Sequence, residues 1–239
     1  MQVDSTRDPV DARREQAWRE ILSVIAVGVL LLLAEIALRK TSLVALPPEF
    51  RSLPALLSCA TYALWLAAKR GDAADALGLR KPKRWGRMIG AALAILVTFI
   101  LAQNALALLG ARMGIPAPDF TGYSYLQGNW ALALATWLLL IVTAALPEEL
   151  LYRGFLLGRL TEALGHGRWA VVLAVFGQAI IFGLTHFQWG VGGTIMTTAM
   201  GVVWGAGYVL AGRNLWAVII AHSLAHLLLV MQLAATPAS

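Results

Sequence analysis

Apolar residues run along this chain in blocks close to the length of about 20 that crosses a bilayer as a helix. Seven such blocks stand between charged, Gly or Pro positions: residues 21–38, 53–68, 88–109, 130–146, 169–185, 193–210 and 215–233. The pattern predicts an all-α fold, a polytopic transmembrane helix bundle of about seven spans. Within the sixth block Gly193, Thr197, Gly201 and Gly205 recur every four residues, putting small side chains on one helix face for close packing in lipid. The triplet Gly165, His166, Gly167 predicts a tight turn between the fourth and fifth helices, with His166 solvated.

Composition points the same way. Of 239 residues, 59% are hydrophobic and 13% charged, far from the balance of a soluble domain. The net charge of +6 does not indicate nucleic acid, because Lys and Arg sit in short segments between apolar blocks, where they orient membrane proteins. With the N-terminus in the cytoplasm and seven alternating spans, fifteen basic residues fall inside and Arg39, Lys40, Arg51 and Arg112 outside. That asymmetry predicts a cytoplasmic N-terminus and an external C-terminus. Residues 1–20 then form a cytoplasmic N-terminal segment, and residues 21–239 an integral-membrane helical domain whose motif-bearing core is 130–233. The first block is too long for a signal-peptide core and reads as a retained span. The basic stretch 69–87 reads as a solvated loop facing anionic headgroups, and 112–129 as a connector without evident chemistry. The lone Cys59 excludes an internal disulfide and a cysteine-rich zinc site, and packing is its expected role. These features fit a bacterial inner membrane.

Ionisable groups are costly in hydrocarbon, so each one requires an explanation. Glu35, one turn before Arg39, is expected to pair with it. Gln103, Asn104 and Gln178 are expected to hydrogen-bond between helices. A denser cluster remains: Glu148 and Glu149 after Pro147, Arg153, His186, His222 and His226. Glu149 and Arg153 lie four residues apart on one helix face, a structural ion pair, whereas Glu148 points about 100° away. Glu148 is thereby the carboxyl group left free to take and return a proton near neutral pH. Glu148 and His186 stand at similar distances, roughly 27 to 30 Å, from the 165–167 turn, so an antiparallel hairpin brings them to one level. His222 and His226 share a face of the last helix and complete a Glu, His, His cluster.

At these residues the chain resembles the CPBP family of intramembrane peptidases, also known as the Abi family, which includes type II CAAX prenyl endopeptidases. Glu148-Glu149-Leu-Leu-Tyr-Arg153 resembles its EExxxR motif, and Phe182-Gly-Leu-Thr-His186 its FxxxH motif. His222 opens a third motif, which the family closes four residues later with Asn or Asp where this chain has His226. The resemblance implies an endopeptidase acting on a membrane-associated protein or peptide, in some members a prenylated one. It also implies that Glu148 and His186 activate water while His222 and the residue at 226 stabilise the oxyanion. The expectation is hydrolysis without a cofactor. A single divalent metal such as zinc, held by Glu148, His186, His222 and His226, is the competing account. A non-enzymatic alternative also uses these residues: an immunity or scaffold protein, or a proton-coupled carrier, with a buried Glu and His network. Membrane lipid and a membrane-associated substrate are the implied partners, and oligomeric state is left open.

Overall fold

The computed structural model describes residues 8–39, 52–71 and 73–237. Among these the helices are α1 (Pro9–Arg39), α2 (Leu53–Ala68), α3 (Ala73–Leu77), α4 (Trp85–Arg112), α5 (Trp130–Leu164), α6 (Arg168–Leu184), α7 (Gly190–Leu210) and α8 (Leu215–Ala235). Short 3₁₀ turns lie at Thr121–Leu126 and Phe187–Trp189. The expected helical bundle is what forms. By length and apolarity α1, α4, α5, α7 and α8 can each cross a membrane. The apolar α2 and α6, of 16 and 17 residues, span about 24 to 26 Å at 1.5 Å per residue, a little under a hydrocarbon core. Large apolar side chains cover the outer surface, with Leu108 68% and Leu210 86% exposed, as a surface solvated by acyl chains requires.

The helix α5 departs from the sequence-based boundary. Proline normally ends or kinks a helix, since it lacks an N–H and its ring crowds the carbonyl one turn back. Here the helix continues through Pro147, and the backbone widens to π geometry over Ile141–Ala145 before it and over Glu149–Leu156 after it. All eight residues of the second π segment are buried, so tertiary packing holds the irregular turns. Such segments accompany functional sites more often than ordinary helix does. The helix stops at Gly165 (φ 101°) and His166 (φ 61°), both in the left-handed region, and the chain reverses into α6 as the turn triplet predicts.

The small-residue stripe of α7 packs on α6. A Cβ added at Gly201 would lie 2.8 Å from the Cα of Ala179, which sets how closely the two backbones approach. Gln178 donates across the same contact to the Gly201 carbonyl at 2.8 Å, and Gln103 of α4 donates to Met196 of α7 at 3.1 Å. Asn104 departs from expectation, bonding the Ile100 carbonyl of its own helix. Cys59 is buried, its thiol 3.9 Å from the Val24 carbonyl. The side chain of Arg39, the partner expected for Glu35, lies outside the described residues, as do Lys40 and Arg51.

One end of the bundle concentrates charge, and its groups are more ordered than loops imply. The helix α1 begins at Pro9, so residues 9–20 are helical and continuous with the first span. Its Glu20 accepts from Arg70 at 2.9 Å and from Arg159 at 2.6 Å, while Arg70 also reaches Glu162 at 2.8 Å. The stretch 69–87 contains α3, whose Leu77 is buried, and Gly78 accepts a bond from the Leu215 amide at 3.0 Å. Gly78 (φ 80°) comes so near the Arg213 carbonyl that a side chain there would collide with it. Arg153, counted above among the inside charges, belongs instead to the core, fully buried.

Candidate active site

The motif residues come from α5, the end of α6 and the middle of α8, the three elements that the Gly165 turn and the α5–α8 packing bring together. Trp137 of α5 donates to the Ser223 carbonyl at 2.7 Å, fixing α8 beside α5 next to His222. Arg153 donates to Glu149 Oε1 at 3.0 Å, the ion pair expected from their spacing, with both side chains fully buried. Its guanidinium also lies over the Phe182 ring, 4.6 Å from the centroid.

The cluster divides differently from expectation at His222. Its Nδ1 lies 2.7 Å from Glu149 Oε1, while its Nε2 faces Glu148 Oε2 at 3.8 Å, in ion-pair range but beyond a hydrogen bond. One imidazole thus stands between the two adjacent carboxyl groups. Glu148 has no arginine partner among the described residues, as its position on the helix predicts.

His186 sits just past the C-terminus of α6. Its Nδ1 lies 2.7 Å from the Phe182 carbonyl, and a carbonyl only accepts, so Nδ1 carries the proton and Nε2 keeps its lone pair. Tyr152 and Thr185 bond to each other at 3.1 Å beside it, and Trp189 packs against the imidazole with ring centroids 4.8 Å apart.

Glu148, His186 and His226 line a common cavity of about 70 Å³, room for several waters. The His226 ring lies 4.4 Å from that of His222, and its Nδ1 is buried without a partner. The cavity continues past Leu140 and Val230 to Tyr123, Gln188, Trp189 and Ser52 at the end of the bundle opposite the Glu20 network. Tyr123, in the stretch expected to be a connector, and Trp189, just past the FxxxH-like motif, are wall residues that the sequence does not single out. The only linear signal was two aromatic groups in polar turns. What places them is long-range, including the bond from the Asp119 amide to the Trp189 carbonyl at 3.1 Å. The Asp119 carboxyl accepts from Thr121, and these bonds hold it below the usual carboxylate range.

Residues 129–228 match the model of a family described as type II CAAX prenyl endopeptidase Rce1-like. Over this stretch, somewhat less than half of the chain, the protein is similar to the Rce1-like family. The match covers all six motif residues, Glu148, Glu149, Arg153, His186, His222 and His226. No curated protein and no solved structure matches the chain significantly. This similarity, together with helices long and apolar enough to cross a membrane, supports an integral membrane protein and, in general kind, a CAAX-type intramembrane endopeptidase.

Among the described residues no three His, Cys, Asp or Glu side chains converge as ligands would. The Nδ1 atoms of His186 and His222 are directed at a carbonyl and a carboxyl group, which leaves their Nε2 atoms as the nitrogens that could hold a metal.

Proposed function

We propose that this Rce1-like chain hydrolyses a peptide bond of a membrane-associated, CAAX-type substrate with water activated by Glu148 and His186. One observation carries the reading: a carboxyl group with no arginine or lysine partner among the described residues and an imidazole whose Nδ1 is held by a carbonyl line a cavity with room for several waters inside an apolar bundle. In the first step a water oxygen bonds to the scissile carbonyl carbon as its proton passes to Glu148, leaving an oxyanion. His226 is a donor for that oxyanion, and His222 joins it with the water proton that Glu148 passes to its Nε2 and takes back before the intermediate collapses. Collapse of the intermediate breaks the carbon–nitrogen bond, and the amine takes the proton back from Glu148. Water, peptide, acid and amine balance with no other reactant.

The test is cleavage of membrane-tethered peptides by the protein in liposomes. Activity is expected to depend on His186 and to survive a strong chelator, whereas loss with chelator and recovery with zinc would replace this mechanism by a metal one. The position where the family has Asn or Asp gives a second prediction. His226→Asn keeps a donor and is expected to retain turnover within about tenfold, whereas His226→Ala loses about 10²- to 10³-fold. Equal turnover in the two variants would remove His226 from oxyanion stabilisation.

The charge distribution also supports a cytoplasmic location for the end holding Glu20, Arg70, Arg159 and Glu162, in a bacterial inner membrane. Without Arg153, the seven-span alternation still assigns fourteen basic residues to that side against four to the other. The cavity then opens toward the external face. The carrier alternative gains nothing from the structure.

A further inference from the structure

We infer that Glu149, held by Arg153, is a positioning residue that locks His222 in the Nδ1–H form, so that proton exchange at His222 is confined to Nε2, the nitrogen facing Glu148. The inference rests on the catalytic reading above for its purpose, but its structural content stands on hydrogen-bond logic alone.

A guanidinium never accepts a hydrogen bond, so the 3.0 Å contact from Arg153 Nη1 makes Glu149 Oε1 an acceptor. Any proton on this carboxyl group is expected on Oε2, because a carbonyl-type oxygen is the better acceptor for a guanidinium N–H. The same Oε1 lies 2.7 Å from His222 Nδ1, so the imidazole must supply the hydrogen there. Donor identity is passed from Arg153 through Glu149 to His222, and it holds whether or not Glu149 Oε2, which is buried without a partner, bears a proton. All three side chains are at most 1% exposed, leaving no bulk water to offer His222 Nδ1 another partner.

The consequence for chemistry is directional. A neutral imidazole with its proton on Nδ1 presents a lone pair at Nε2, 3.8 Å from Glu148 Oε2. A proton arriving there makes His222 a donor at both nitrogens, and the Glu149 carboxyl group faces the charge so formed. With the other tautomer the proton would already occupy Nε2, and Nδ1 would face Glu149 with a lone pair against a lone pair. Glu149 thus acts on the reaction only through His222 and touches no substrate.

The experiment uses the full chain labelled with ¹⁵N-histidine in detergent or nanodiscs, with the four histidines assigned by single His→Gln variants. His222 is expected to show a protonated Nδ1 and an unprotonated Nε2. Removing one member of the buried pair risks misfolding, so the test variant is Glu149→Leu with Arg153→Leu, which removes both charges and the acceptor together. In that variant the His222 signal is expected to move toward the Nε2–H form, and kcat to fall about tenfold to a hundredfold with KM within about threefold. The Glu149→Gln variant, which keeps an acceptor, is expected to recover part of the Nδ1–H signal. A wild-type spectrum with Nε2–H, or a folded Leu, Leu variant whose His222 spectrum is unchanged, overturns the inference. The spectrum reads His222 whether or not peptide is cleaved, so a wrong catalytic assignment and a wrong tautomer assignment give separate results.

Discussion

Turnover is expected to fall about 10²- to 10⁴-fold when Glu148 is replaced by Gln, while the protein remains folded. The amide keeps the volume of the carboxyl group and cannot take a proton from water. It also removes one of two adjacent buried carboxyl groups, so resistance to thermal unfolding is expected to hold or improve. Opposite signs for activity and stability are the mark of a group retained for chemistry, because a packing residue loses both together. The measurement is kcat on a membrane-tethered peptide beside a thermal melt of the same preparation. Cleavage that continued at the wild-type rate would remove Glu148 from the mechanism.

The second large effect concerns stability. Arg153→Met leaves Glu149 buried with no cation, and loss of one partner of a buried pair costs about 3 to 5 kcal/mol. Arg153 and Glu149 are both 0% exposed, so bulk water cannot compensate the charge left behind. Replacing both residues with Leu is expected to restore most of that loss, since two well-packed apolar groups commonly match a buried ion pair. Reversible unfolding in mixed micelles reads both values. If the single variant is as stable as the wild type, or the double variant no better than the single, then the pair does not carry the energetic role assigned here. The two predictions separate the adjacent carboxyl groups. Losing the charge at Glu148 impairs catalysis alone, whereas leaving Glu149 unpaired impairs the fold.

The division between those neighbours was legible in the linear chain because it rests on local geometry. Four residues along a helix return to the same face, and Glu149 finds Arg153 even where the backbone has widened to π form. The turn at Gly165 was legible for a similar reason, since a left-handed backbone is read from glycine directly. Passage of α5 through Pro147 was not. Proline opposes a helix locally, and only burial of the following turns on several neighbours overrides it. Nor was the ion-pair network at the charged end legible. A run of Arg and Glu looks solvated until Glu20, Arg70, Arg159 and Glu162, far apart in the chain, are found packed against one another.

By itself the sequence determined that this chain is a helical membrane bundle, and that a Glu and three histidines within it demand a purpose. Apolar run length and the expense of burying charge are properties of residues and near neighbours, so they can be read in one dimension. Tertiary structure alone decided that His222 turns its Nδ1 to Glu149 and its Nε2 to Glu148, and that Tyr123 and Trp189 wall the cavity. Those contacts depend on how separate helices are rotated and packed, and no periodicity in the chain records that rotation.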